Sequence, residues 1–355
     1  MYMFSANKLK ELYGKLQDDE SRSIFNARLR YFLDEDDENI WKLSDKIYER
    51  GYFNKEISEL IELKHSGFEI ALYGAGIVGE AAKGYFERNG LIVDFFCDKN
   101  PDKQKCGYLN LPVISLQMLT EKRKNVAVVI TTSSVWAEDI RQELKNHNFN
   151  DRIYDFFINY EILGYFSHDI FKPLENEIYI DCGTLNGGTI KEFSDFTKGN
   201  YQKIYGFEPD KVSFKRTLEY LCEQKLEKVE IINKGVWSEN TMLSFSAQSD
   251  GGSHITDCGS GTTTTILVTA IDDIVGDDAV TFIKMDIEGA ELEALRGAER
   301  TIRLQKPRLA ICVYHKPEDI VEIPLYIQSL VPQYKYYLRH NTIGKSGTLL
   351  YAVKE

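Results

Sequence analysis

Two carboxylates and an imidazole stand where chemistry could occur. Asp286 and Glu288 flank Ile287 directly after an apolar run, Phe282-Ile283-Lys284-Met285, and His315 follows the next apolar run, Ala310-Ile311-Cys312-Val313-Tyr314. Residues i and i+2 of a strand point the same way, so the three groups would meet at adjacent strand ends. Such a set can take a proton from a substrate hydroxyl. It could also hold a divalent metal that lowers the pKa of a bound oxygen. One carboxylate pair and one histidine do not define a metal by ligand type, and the sequence alone assigns no metal ligands. The plainer alternatives are a Glu288 that satisfies helix N–H groups in a first turn and a His315 on the surface. Ligands bind outside the carboxyl ends of strands in α/β sheets, which favours a site role for His315.

Two glycine-bearing junctions add binding chemistry. Gly74-x-Gly76-x-x-Gly79 follows an apolar strand and opens a helix, with Asp98 at the end of the next strand. Glycines there permit a tight turn, close approach to a phosphate and close helix–strand packing, and the acid can take a ribose diol. A nicotinamide cofactor such as NAD and a nucleotide-sugar both fit, and so does a plain turn that carries glycines. The only histidine of 100–160, His147, reads as a helix end. The second junction, Asp181-x-Gly183-x-x-x-Gly187, has neither the dinucleotide pattern nor a Walker lysine. Glu208, in Gly206-Phe207-Glu208-Pro209, sits at the tip of the following strand, where a carboxylate can accept both hydroxyls of a ribose. Gly235 and Val236 follow a third strand.

These groups need a scaffold, and the periodicity supplies one. Residues 5–65 carry apolar positions at helical spacing. Strands are expected at 68–73, 91–96, 126–131 and 153–157, then at 177–181, 203–207, 229–233, 265–269, 281–286, 308–313 and 348–353, with helices near 188–197, 211–222, 290–304 and 318–330 between the later ones. Strand–helix alternation implies parallel sheets. The expected fold is α/β, two Rossmann-like units in tandem after a small helical segment: 1–66 helical, 67–160 a nucleotide-binding-like unit, 161–355 the second unit. Ser246–Thr265, rich in Gly, Ser and Thr, is expected to be a mobile loop, from which Ser253 and His254 could reach an acceptor. Arg339 and His340 could bind an anion, and Trp237 and Tyr314 could stack on a sugar, although surface and core roles are commoner for such residues.

Composition narrows the partners. Of 355 residues, Lys and Arg number 43 and Asp and Glu 55, a net charge of −12, which argues against a phosphate-tracking nucleic-acid binder. No apolar run approaches the roughly 20 residues that span a bilayer, and the start lacks a signal-peptide layout. A soluble, cytoplasmic protein is expected. The six cysteines never form a C-x-x-C pair and read mostly as buried thiols. The oligomeric state stays open.

On the motifs Asp181–Thr189, Gly206-Phe207-Glu208-Pro209 and Ile283-Lys284-Met285-Asp286-Ile287-Glu288-Gly289-Ala290-Glu291, residues of about 177–353 resemble the FkbM-type family of S-adenosylmethionine-dependent methyltransferases. Ala270-Ile271-Asp272-Asp273-Ile274 is similar to the family's preceding short motif. The resemblance implies a class I methyltransferase fold in which Asp181, Gly183, Thr184 and Gly187 shape the loop under the methionine part of the cofactor. It implies that Glu208 holds the ribose, that Gly235 and Val236 lie beside the adenine, and that Asp286 borders the transferred methyl. Thr184-Leu185-Asn186 departs from the Ala-Asn-Ile common in the family. The unit at 67–160 resembles sugar-nucleotide-type Rossmann domains. The activity implied is O-methylation of a small polyhydroxylated acceptor, a sugar or glycan precursor, with Asp286, Glu288 and His315 as acid–base groups. Two other readings stay open. One is an oxidoreductase centred on Gly74–Gly79, which needs a proton-transfer residue near 131–136, where Thr131, Thr132, Ser133 and Ser134 argue against hydride chemistry. The other is a non-catalytic cofactor-binding scaffold.

Overall fold

The computed structural model describes residues 5–48, 54–132, 134–149, 151–156, 164–246, 254–255 and 263–354. Four helices come first: α1 (Ala6–Lys15), α2 (Asp19–Asp34), α3 (Glu38–Tyr48) and α4 (Asn54–His65). Ser5 and Asp18 cap the first two, their side chains accepting from the Lys8 and Ser21 N–H groups. Such caps satisfy donors that have no partner within the helix.

A five-stranded sheet follows, of β1 (Glu69–Tyr73), β2 (Phe95–Cys97), β3 (Val113–Ile114), β4 (Val126–Ile130) and β5 (Ile153–Asp155). Its strands run parallel in the order β3-β2-β1-β4-β5. The connections carry α5 (Ile77–Arg88), α6 (Pro101–Cys106), α7 (Leu116–Glu121) and α8 (Ser134–Asn146). β4 is buried at all five positions, as expected of a strand covered on both faces. The strand expected at 91–96 is shorter, because the Asp94 carboxylate itself takes the Ile70 N–H at 2.6 Å and pairs with Lys64.

The next elements are β6 (Glu177–Cys182), α9 (Gly188–Phe196), β7 (Tyr201–Phe207), α10 (Lys211–Glu223), β8 (Val229–Ile232), β9 (Gly235–Val236), β10 (Thr241–Ser246), β11 (His254–Ile255) and β12 (Thr263–Thr269). After them come α11 (Ile271–Val275), β13 (Phe282–Met285), α12 (Glu291–Arg296), α13 (Glu299–Gln305), β14 (Arg308–Cys312), α14 (Asp319–Leu330), β15 (Lys335–His340) and β16 (Thr348–Val353). A seven-stranded sheet has the order β15-β16-β14-β13-β6-β7-β8, with β16 antiparallel to both neighbours. A smaller sheet, β11-β10-β12-β9, stands beside it in sequence. The strand expected at 265–269 belongs to this smaller sheet, paired antiparallel with β10. Part of the expected mobile loop is β11, Ser253 lies outside the described residues, and the expected helix at 290–304 is two helices separated at Gly297.

The chain divides into two compact units, Met1–Ile40 with Leu163–His340 and Ser346–Glu355, and Trp41–Ile162 with Asn341–Lys345. Both α/β units expected in tandem are present, and the helical stretch before them is shared between them. In the larger unit the segment from α1 to α2 covers β15: the Gln17 N–H donates to the Tyr336 carbonyl, and the Leu338 N–H to Ser21 Oγ. Covering an edge strand removes a template for unwanted pairing. β15 escapes sequence detection because its residue types do not follow its alternating burial: Tyr337 is on the less buried face with Lys335 and Arg339, and His340 on the buried one. The described cysteines are free thiols: Cys97, Cys182 and Cys312 are buried, Cys106 and Cys222 exposed. Among the described residues no helix is long and apolar enough to cross a membrane.

Candidate active site

In the seven-stranded sheet the chain order reverses between β6 and β13, and ligands of open α/β sheets bind outside the carboxyl ends at such a point. Asp181 and Lys284 are register partners there. Lys284 Nζ lies 3.0 Å from Asp181 Oδ1 and donates to the Gly183 carbonyl at 2.7 Å, while Thr189 donates to Asp181 Oδ2. Burial raises the Asp181 carboxyl and outweighs the pull of Lys284 and Thr189. For Lys284 burial works against the charge, yet Asp181 and Asp286 hold the ammonium above its ordinary value. Asp181 therefore braces the loop after β6 from inside. Gly183 has φ +84°, and a Cβ there would stand 2.1 Å from the Asp286 carbonyl oxygen. Thr184 is buried, with its Oγ1 3.4 Å from Thr217 Oγ1. Gly187, also at φ +84°, is the N-cap of α9.

Glu208 follows β7 and is 6% exposed. Its carboxylate accepts the N–H groups of Leu185 and Asp210, each at 2.9 Å. Burial nevertheless pushes this carboxyl from 4.5 up to about 7, because two donors do not replace the water it lost. An ionised carboxylate offers about four lone-pair sites, so Glu208 has room for the two hydroxyls of a ribose. Asn233 holds the chain behind it through the Glu208 and Pro209 carbonyls. Gly235 and Val236 form β9 in the smaller sheet, where a Cβ on Gly235 would lie 3.8 Å from Pro209 Cβ.

The three groups of the acid cluster lie together, through a turn after β13 rather than through strand alternation. His315 Nε2 is 3.4 Å from both Asp286 Oδ1 and Glu288 Oε2, and Nδ1 is 2.9 Å from Glu291 Oε1. Glu288 adopts φ +57°, a left-handed conformation unusual for a residue with a side chain. Burial alone would discharge His315, but Glu291, Asp286 and Glu288 hold its proton and raise it to about 10. For Asp286 the upward push of burial is outweighed by His315, Lys284 and a hydrogen bond from Tyr165, which leaves it below its ordinary value. Tyr165 Oη donates to Asp286 Oδ2 at 2.6 Å and Tyr314 Oη to Oδ1 at 3.1 Å.

Residues 181–336 match the family described as Methyltransferase FkbM domain. This stretch is an FkbM methyltransferase domain. A solved methyltransferase FkbM from Methylobacillus flagellatus KT is 22% identical, over 81% of this chain and 90% of that one, with a TM-score of 0.48. An rRNA methylase from Streptococcus thermophilus is 19% identical over 51% and 87%, with a TM-score of 0.34. A SAM-dependent methyltransferase from Aquifex aeolicus is 16% identical over 51% and 84%, with a TM-score of 0.31. No curated protein matches the chain.

The cluster has neighbours that sequence reasoning missed, one inside residues 181–336 and one before them. Glu291 stands in the motif that carries Asp286 and Glu288, so its proximity to His315 was open to inspection; Tyr165 lies far upstream with no pattern to flag it. Tyr314, weighed as a stacking group, is instead a donor to Asp286. Trp237 packs against Ile266 and Val268. Arg339 pairs with Asp18 at 2.9 Å and Asp169 at 3.1 Å, and His340 is buried with Nδ1 2.8 Å from Thr348 Oγ1.

Outside the FkbM domain, the Gly74–Gly79 loop sits at the reversal between β1 and β4. A Cβ on Gly74 would stand 2.4 Å from the Thr131 carbonyl oxygen, and one on Gly79 2.2 Å from that of Gly74. Close packing alone thus requires both glycines. Asp98 accepts the Ala75 N–H at 2.9 Å and the Asn100 N–H at 2.8 Å, and Lys103 donates to the Ala75 carbonyl. Thr131 Oγ1 donates to the Tyr73 and Gly74 carbonyls, a bracing position for the loop.

Proposed function

We propose that the chain transfers a methyl group from S-adenosylmethionine to a hydroxyl of a small polyhydroxylated acceptor, of the sugar or glycan-precursor class. The carrying observation is the contact between the two halves of the site. The Gly183 loop packs on the main chain of Asp286, whose carboxylate faces His315. A donor seated on that loop would meet the proton-accepting groups at one place. Glu208 supports the same reading, being a buried carboxylate short of donors at the strand end next to the loop.

When bound, the cofactor supplies a methyl group already activated by its sulfonium. That methyl would pass to the acceptor oxygen with its bonding electron pair left on sulfur, and the Asp286 and Glu288 carboxylates would receive the hydroxyl proton beside the protonated His315. The chain's work is to align the acceptor and receive that proton. Glu208 would hold the ribose, while Asp181 and Lys284 act from beneath by fixing the loop.

Calorimetric titration with S-adenosylhomocysteine tests this. Saturable binding by the full chain, lost in Asp181→Ala and Glu208→Ala, is expected. A folded wild-type chain that does not bind rejects the reading, and folded variants that bind normally reject the site. Parallel titrations with NAD and a UDP-sugar report on the Gly74–Gly79 loop, where a bound nucleotide would place a second ligand near Asp98.

A further inference from the structure

We propose that Asp286, Glu288 and His315 hold a divalent metal ion whose remaining coordination positions face the acceptor. One carboxylate oxygen from each acid and one ring nitrogen of His315 lie within 4.8 Å of one another. The two measured edges, from Nε2 to Asp286 Oδ1 and to Glu288 Oε2, are both 3.4 Å. A cation with bonds of about 2.1 Å places neighbouring ligand atoms about 3.0–3.4 Å apart, depending on geometry. Both edges from His315 therefore already match a shared ion.

The second observation is His315 itself. Its side chain is only 9% exposed, and Nε2 is buried with no hydrogen-bond partner among the described residues, aimed between the two carboxylates. Nδ1 lies 2.9 Å from Glu291 Oε1, and Glu291 is in turn held by the Ile287 N–H at 2.9 Å. A carboxylate on the far ring nitrogen is the usual outer partner of a metal-bound histidine, since it fixes which nitrogen presents its lone pair. Asp286 has an outer partner too, Tyr165. Two carboxylate oxygens and one imidazole nitrogen suit borderline to hard divalent ions such as Mn2+ rather than a soft ion.

The ion deepens the methyl-transfer reading, and its chemical role rests on that reading: with the trio as its ligands, the proton loosened from a coordinated hydroxyl would leave to water instead of to the carboxylates. An aliphatic hydroxyl is about as weak an acid as water, and coordination to a divalent ion lowers such a pKa by many units. A vicinal diol would fill two open positions at once, which gives the trio a reason to prefer polyhydroxylated acceptors. The binding of the ion itself does not depend on methyl transfer.

The full chain, stripped with a chelator, is titrated with Mn2+ while free ion is followed by electron paramagnetic resonance. One tightly bound Mn2+ per chain is expected, weakened at least tenfold in Glu288→Gln. A pulsed spectrum of the bound ion should show nitrogen coupling that changes when histidine is labelled with 15N, a readout on the wild-type chain that needs no variant. No ion above the background of exposed carboxylates, no nitrogen coupling, or equal affinity in a folded Glu288→Gln overturns the site. Affinity for S-adenosylhomocysteine is measured on the same samples. S-adenosylhomocysteine binding in a chain that takes up no Mn2+ removes the ion and keeps the methyltransferase; Mn2+ at His315 without S-adenosylhomocysteine binding does the reverse.

Discussion

Lys284 and Asp181 face each other across the β6–β13 seam, 3.0 Å apart and both shut away from water. Each has a second task, since Lys284 also holds the Gly183 carbonyl and Asp181 accepts from Thr189. Removing one partner strands a buried charge, which costs roughly 3–5 kcal/mol. Lys284→Met is expected to lose about that much in urea unfolding at pH 7.5. The Asp181 carboxyl is already raised by burial, and without Lys284 it rises further. An acid whose folded pKa is raised favours the fold when protonated and loses that contribution as pH rises. The deficit of Lys284→Met should therefore shrink on acidification; a deficit independent of pH would show that Asp181 does not feel the lysine.

Glu208 gives the cofactor site its own pH dependence. With its carboxyl at about 7 in the free chain, ribose hydroxyls would find the ionised acceptor in full only above that value. Affinity for S-adenosylhomocysteine should fall about tenfold from pH 8 to pH 6, the change in ionised fraction across such a pKa. Glu208→Gln should bind more weakly at pH 8 and lose this slope. The sign for the ligand-free fold is opposite, because protonated Glu208 is the form burial favours: its contribution is present below 4.5 and lost as pH rises through about 7. Calorimetry and thermal melting across the same buffers read both.

Gly183 has no room for a side chain, its absent Cβ falling 2.1 Å from the Asp286 carbonyl oxygen at φ +84°. Gly183→Ala must part the cofactor loop from β13. Overpacking against backbone costs about 1–3 kcal/mol, so a lower melting temperature together with lost binding of S-adenosylhomocysteine is expected. Normal binding by this variant would mean that the loop is not the cofactor seat.

What could be read beforehand divides along physical lines. Parallel strands buried on both faces, such as Val126–Ile130 and Phe282–Met285, announce themselves as apolar runs, and chemistry at their carboxyl ends follows from topology. That is why Asp181, Glu208, Asp286 and His315 could be singled out as candidates. Strands of the smaller sheet follow one another without helices between them, and the residue types of β15 do not follow its burial, so their pairing partners were not legible. The left-handed turn at Glu288 and the hydrogen bond from Tyr165 depend on tertiary packing, which no local spacing encodes. Glycines are ambiguous in the other direction: Gly74 and Gly79 form a nucleotide pattern, and close packing also accounts for both.

Asp98 separates those two accounts of the smaller unit. Its carboxylate ties the Gly74–Gly79 loop to the segment after β2 by accepting the Ala75 and Asn100 N–H groups. Losing a charged acceptor leaves these donors to find other partners, at about 1–3 kcal/mol. Asp98→Ala is expected to lower the thermal stability of the ligand-free chain. A variant with unchanged melting but abolished nucleotide binding would make Asp98 a ligand contact instead.

Tyr165 is the test of whether Asp286 must be held as well as present. Its hydroxyl donates to Asp286 Oδ2 at 2.6 Å, while its ring packs near Phe166 and below the Lys284 ammonium, 5.2 Å from the ring centre. Tyr165→Phe keeps the ring and removes only the hydroxyl. A hydrogen bond to a charged group contributes about 1.5–3 kcal/mol, so if Asp286 acts in the transition state the rate of methyl transfer should fall roughly 10–100-fold. Tyr165 would act as a positioning residue, and the loss should appear in kcat, with affinity for S-adenosylhomocysteine unchanged because that ligand is held from the β6 and β7 ends. A purely structural role would lower the melting temperature and weaken S-adenosylhomocysteine binding while kcat stayed near wild type. Steady-state kinetics and calorimetry on one preparation distinguish the two, and an unchanged kcat would remove Asp286 orientation from the mechanism.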